Sequence, residues 1–155
     1  MQNLWNAPSP NDLDNLIGNH LNTNLDATVV VQFSSAAQYS RDLLRRLDTL
    51  CARFGIRVRV RFYGHYSGAP FDARVLSSLP NVHSLDLDGL GEILTIETLE
   101  ELALLKSLGV GVENFNLNSI VSLSNLQTLH RLRLSQQTGT KVDISPSLTC
   151  RVLAH

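Results

Sequence analysis

Cysteine is nearly absent from this chain: Cys51 and Cys150 are the only two in 155 residues. Two distant thiols do not make a disulfide framework, and they suit a reducing compartment. The N-terminal stretch "MQNLWNAPSPNDLDNLIGNH" has no basic segment ahead of an apolar one. No secretory leader is therefore expected, and a cytoplasmic location is. No apolar run approaches the roughly 18 residues a membrane span needs. The five histidines, at 20, 65, 83, 130 and 155, include no H-x-x-x-H pair, and there is no C-x-x-C. A zinc site is not expected. No phosphate-binding glycine loop, G-x-G-x-x-G or G-x-S-x-G is present either, so no metal, no cofactor and no catalytic set is assigned. Net charge is −1 and the pI is near 6.5, which argues against a generic nucleic-acid binder.

What the chain does have is apolar residues, 43% of the total and mostly leucine and valine, enough for one sizeable core. Residues 1–155 read as a single domain in three parts: an N-terminal arm and short helix (1–26), a βαβ unit (27–75) and a leucine-patterned half (76–155). "SPNDLDNLIGNHL" predicts a short helix over 10–21, with Ser9 as cap, Pro10 in the first turn and Asp12 and Asp14 on the favourable end of the dipole. Trp5 is placed to pin the arm to the body. "TVVVQF" (28–33) predicts a buried strand. Ser35 and Gln38 have capping-box spacing, and Tyr39, Leu43, Leu47, Leu50, Cys51 and Phe54 recur at helical spacing. A helix over 37–54 ending at Gly55 follows, with Cys51 as a small core residue. The stretch "GIRVRVRF" alternates, with Ile56, Val58, Val60 and Phe62 on one face and Arg57, Arg59 and Arg61 on the other. Strand, helix, strand implies a parallel pair. "YGHYSGAP" (63–70) is a loop, and a short helix is placed near 72–79.

A leucine pattern then recurs. "LSSLPNVHSLDL" starts at Leu76, "LEELALLKSLGV" at Leu99 and "LSNLQTLHRLRL" at Leu123, offsets of 23 and 24 residues. Each copy is apolar at its first, fourth, seventh, tenth and twelfth positions. Steps of three make a helical or near-helical turn, and the closing L-x-L makes a short strand. Each unit has one apolar face and must stack on neighbours to bury it. This pattern resembles the leucine-rich repeat family, through Val82/Leu85/Leu87, Leu105/Leu108/Val110 and Leu129/Leu132/Leu134. The resemblance covers residues 76–137, and the asparagine that usually closes the family's strand consensus is missing. It implies an α/β fold: a leucine-rich-repeat-like solenoid with a parallel sheet and outer helices, preceded by the βαβ unit as an N-terminal cap. A final strand near 148–153 would close the other end.

In that family, the residues flanking the strand leucines face the open, concave surface. The resemblance therefore places Arg57, Arg59 and Arg61 in one lane and Ser84, Asp86 and Asp88 in the next. Ser107, Gly109 and Gly111 follow, and then Arg131, Arg133 and Ser135. The arginine and aspartate lanes invite cross-strand ion pairs. The leading function is non-enzymatic binding of another protein through Arg57, Arg59, Arg61, Asp86, Asp88, Arg131 and Arg133. By size and architecture the chain is similar in kind to immunity proteins that bind and neutralise a cognate bacterial toxin domain. Two alternatives stand beside it. One is a small α/β enzyme or ligand-binding domain centred on the 63–70 loop, with His65 as its candidate group among Tyr63, Tyr66 and Ser67. The other is RNA binding through the arginine strands.

Overall fold

The computed structural model describes residues 2–65, 70–112, 123–124, 129, 131–136, 140–144 and 150–154. Its strands are β1 (Gln2–Asn6), β2 (Thr28–Phe33), β3 (Val58–Tyr63), β4 (Phe71–Asp72), β5 (Ser84–Leu90), β6 (Ile93–Leu94), β7 (Ser107–Val112), β8 (Arg131–Gln136), β9 (Thr140–Ile144) and β10 (Cys150–Ala154). Eight of them form one sheet in the order β1-β2-β3-β5-β7-β8-β9-β10, and β4 pairs β6 in a separate ribbon. The pairs from β1 through β8 are all parallel. β9 and β10 then return antiparallel. This is a mixed α/β architecture built on a parallel sheet.

Sequence order and spatial order coincide along the parallel ladder, so each crossover steps in the same direction. Right-handed crossovers that all step one way return over the same face. The core agrees. Val29, Val31 and Phe33 of β2, Val58, Val60 and Phe62 of β3, Leu85 and Leu87 of β5, and Leu108 and Val110 of β7 form one cluster. The described helical segments contribute Leu13, Ile17, Leu21, Leu44, Leu47, Leu76 and Leu99 to that same cluster. Strand residues half a period away, such as Arg59 and Asp86, stand on the other face.

The βαβ unit is present, with corrected boundaries. Helix α2 (Arg41–Phe54) starts at Ser40, whose hydroxyl accepts from the Leu43 amide at 3.1 Å. Ser35 caps only the short 3-10 turn Ala36–Gln38. The later start has a packing reason. Tyr39 is extended, and its ring sits 5.3 Å from Phe33 and 5.2 Å from Phe62, edge to face with both. Gly55 ends α2 at a φ of +58°, where a side chain would be strained. A 3-10 turn, Gly55–Arg57, delays β3 to Val58. Ile56 therefore lies outside the strand and is 55% exposed, not core-facing. Cys51 is fully buried, and burial pushes its thiol pKa well up.

The N-terminal arm is itself a strand. β1 pairs β2 from Gln2↔Thr28 to Asn6↔Gln32, so the βαβ unit is not the outermost part of the sheet. The first helix opens at Pro10, where its sequence signals place it: Ser9 Oγ accepts from the Asp12 amide at 3.1 Å, and Asp12 Oδ2 accepts from the Ser9 amide at 2.8 Å. Its turns over Asp12–Ile17 are wound as a π-helix and continue as α1 (Gly18–Thr23), two residues beyond the expected end. The last strand falls at β10. It is preceded by β9, which sequence pattern alone did not disclose.

The 23-residue spacing is also a backbone repetition. In the first copy the Leu79 amide donates to Leu76 O (2.9 Å) and the Val82 amide to Leu79 O (3.1 Å). In the second copy Leu102 donates to Leu99 O (3.2 Å) and Leu105 to Leu102 O (3.1 Å). The first bond of each pair closes the 3-10 turn Ala73–Ser78 or Ile96–Glu101, and the second continues the chain toward β5 or β7. All five patterned positions in each of these two copies are at most 1% exposed. In the third, Leu123 and Leu129 are buried, while Leu126 lies outside the described residues. Asp48 ties α2 to the first copy by accepting from both the backbone and side-chain nitrogens of Asn81, each at 2.8 Å.

These burial differences predict two unequal losses. Leu85→Ala, in the fully buried lane, should cost about 2–5 kcal/mol in urea denaturation. Ile56→Ala should cost no more than about 0.5 kcal/mol, because its side chain already meets solvent. A large loss at Ile56 would place it in the core after all.

Candidate functional site

Apart from Arg57, the residues of the predicted lanes hold positions on one face of the sheet in the predicted order. Register sets Arg59 opposite Ser84 and Arg61 opposite Asp86. It sets Ser84, Asp86 and Asp88 opposite Ser107, Gly109 and Gly111. These in turn face Arg131, Arg133 and Ser135 across β7 and β8. Beyond them, Arg133 is opposite Asp143 and Ser135 opposite Lys141.

Two of the three β3-side arginines are satisfied within the face. Arg59 reaches Asp86 at 3.3 Å and donates from Nε to Ser84 Oγ at 3.1 Å. Arg61 donates from Nε to Asp88 Oδ2 at 2.8 Å and from Nη1 to Gln32 Oε1 at 2.9 Å. Its guanidinium also lies 4.4 Å from the centre of the Tyr63 ring. The carboxylate partner of Arg59 is only 9% exposed, so that pair is screened less than a surface pair would be. Gln32 is buried and donates in turn to Asn6 Oδ1. A polar chain Asn6–Gln32–Arg61–Asp88 thus crosses four adjacent strands. Sequence reasoning missed Gln32 and Asn6. The available signal was the single amide in the run "TVVVQF", where every other residue after Thr28 is apolar.

Arg57 is placed elsewhere. It precedes β3 and does not join the sheet-face lane. Its guanidinium caps the chain leaving α1, donating to Ala27 O (2.9 Å), Leu21 O (2.8 Å) and Asn24 O (2.5 Å). Three carbonyls around one planar fork make it a structural clamp. Arg131 is exposed on the open face. The side chain of Arg133 lies outside the described residues, and only its register position is fixed.

The 63–70 loop offers His65, at a φ of +56°. Its backbone amide donates to Ser34 O at 3.0 Å. Nδ1 lies 2.9 Å from Tyr63 O, and Nε2 lies 3.1 Å from the Tyr39 hydroxyl. With the proton on Nδ1, both ring nitrogens are used, one donating and one accepting. The ring also packs edge to face on Phe71, 5.4 Å between centres. His65 thereby ties the strand end to the aromatic cluster. Tyr66 and Ser67 lie outside the described residues. Among the described residues no group of three or more His, Cys, Asp or Glu side chains is arranged to hold a metal ion. No described helix is long and apolar enough to cross a membrane. No family model, curated protein or solved structure matches the chain.

Removing the Arg57 clamp takes a donor from Ala27 O and Leu21 O, while Asn24 O keeps the Ala27 amide. Arg57→Ala should cost about 1–3 kcal/mol in urea denaturation, and Arg57→Lys should restore little of it because a point charge does not reproduce the fork. Full rescue by lysine would show that charge alone matters there.

Burial pushes the Tyr39 phenol up to about 12. An alkaline absorbance titration should show a late component near that pH, and Tyr39→Phe should remove it. An unchanged profile in the variant would assign the late component to another tyrosine.

Proposed function

We propose that this chain is a non-enzymatic protein-binding module, a degenerate leucine-rich-repeat-like solenoid that docks another protein on its open sheet face. Its closest functional kind is the immunity protein, which binds and neutralises a cognate toxin domain in the cytoplasm. The repetition of buried positions and turn hydrogen bonds at 23 residues supports the solenoid half of this reading.

One observation carries the binding half: the described helices pack on one face of the sheet, while the other face holds charged lanes in fixed register. Arg59 and Arg61 are already immobilised by Asp86, Asp88, Ser84 and Gln32. A partner that contacts them need not bear the full cost of ordering two long side chains. Arg131 is exposed and supplies positive charge at the far side of the face. Arginine is favoured at the energetic centre of protein interfaces, and charge complementarity speeds encounter. A partner presenting carboxylates over β7 and β8 fits this distribution. Pairing with Asp86 and Asp88 leaves Arg59 and Arg61 less suited to phosphate backbones, which weakens the RNA alternative.

The test is affinity purification from the host, followed by calorimetry with the captured partner. Arg131→Glu should weaken binding at least tenfold with an unchanged melting temperature. Arg45→Gln, on the helical side, should bind normally. The Arg59–Asp86 pair makes reversal at Arg59 a poor probe, because it would set a second negative charge against a nearly buried carboxylate. Normal affinity in Arg131→Glu would refute docking through this face. Growth arrest by the partner expressed alone, relieved by co-expression of this chain, is the outcome the immunity reading requires.

A further inference from the structure

On the helical side, a groove of about 500 Å³ runs between the N-terminal half of α2 and the 3-10 turn Ala73–Ser78. Arg41 and Arg45 from α2 line one wall, and Arg74 and Ser77 from the turn line the other. Leu44 and Val75 make an apolar floor, the first buried and the second partly so. No carboxylate lines the groove among the described residues.

The three guanidinium groups are not equally engaged. Asp72 holds Arg74 through two contacts, 2.8 Å to Nε and 2.6 Å to Nη2. The side chains of Arg41 and Arg45 make no hydrogen bond or ion pair with any described residue. They sit one helical turn apart, where like charges repel and weaken the helix. Two guanidinium groups without an ion pair among the described residues, beside a third held by Asp72, make the α2 wall of this concave site positive over an apolar floor. The helix end is not what makes it, since Ser40 already fills the α2 cap by accepting from Leu43 N.

We propose that this groove binds a phosphate monoester of about nucleotide size. The phosphate is held by the Arg41 and Arg45 forks, with Arg74 opposite, and the organic body lies over Leu44 and Val75. Guanidinium forks match phosphate oxygens bidentately, and this match distinguishes phosphate from a monovalent anion. The volume falls in the range of small-molecule sites, roughly 300–1,000 Å³. The site is spatially separate from the open face, so it is compatible with a docked protein partner and independent of that reading.

Calorimetry on the full chain at fixed ionic strength tests it, with adenosine 5′-monophosphate, inorganic phosphate and adenosine as probes. Both phosphates should bind saturably, the monophosphate more tightly, and adenosine should not bind. Arg41→Gln and Arg45→Gln should each weaken the monophosphate about tenfold, while Arg131→Gln on the open face should leave it unchanged. Unliganded melting temperatures separate lost binding from lost folding. If a Gln variant melts early, Arg45→Lys replaces it and should still lose affinity with its charge kept. Absence of saturable monophosphate binding, or equal weakening by Arg131→Gln, overturns the site. Equal affinity for inorganic phosphate and the monophosphate overturns the role of the apolar floor.

Discussion

The parallel ladder from β2 to β7 buries one face of its strands, and that burial fixes the register of the other. A one-residue slip of β3 would exchange Val60 for Arg59 in the core, so the pairing has no competitive alternative. The positions of Asp86, Asp88, Gly109, Gly111 and Arg131 follow from this apolar requirement. None of them needs to stabilise the fold for it to be where it is. The charged face is ordered because leucine and valine order the sheet beneath it.

The polar side returns part of that order. Gln32 is buried between Asn6 and Arg61, and Arg61 is held in turn by Asp88. Linked hydrogen bonds of this kind polarise one another and leave few geometries for each member. They also attach β1, a five-residue edge strand, to the strands inside it. At the opposite rim of α2, Asp48 grips Asn81 and His65 bridges Tyr39, Tyr63 and Ser34. The titratable and amide side chains at these joints mostly hold elements together.

Much of the fold was legible in the sequence, and the reason is periodicity. Leu85/Leu87 and Leu108/Val110 announce strands by alternation, and Leu76/Leu79/Val82 announces a turn by threes. The spacing between copies gives neighbour order, and hence the adjacency of arginine, aspartate and glycine lanes. What was not legible depended on single hydrogen bonds or on tertiary packing. Ser40 rather than Ser35 starts α2 because Tyr39 is drawn into the aromatic cluster, which no local signal encodes. "GIRVRVRF" alternates throughout, yet Gly55–Arg57 is a turn, and Arg57 leaves the lane to clamp carbonyls distant in sequence. "QNLWN" has too few β-branched residues to declare a strand by itself. It becomes β1 because β2 offers it an edge and Gln32 a partner.

Gly109 and Gly111 give β7 a strip without side chains, one strand wide, between the carboxylates of β5 and the arginines of β8. Two strand spacings, about 10 Å, then separate the two charge systems, a distance close to the screening length of physiological salt. A longer residue at Gly109 would fill the lane between Asp86 and the register position of Arg133, whereas Arg131 stands in line with Ser107 and Ser84. As built, Arg59 and Arg61 are tethered on one side of the strip and Arg131 meets solvent on the other, so one sheet face carries both tethered and solvent-facing arginines.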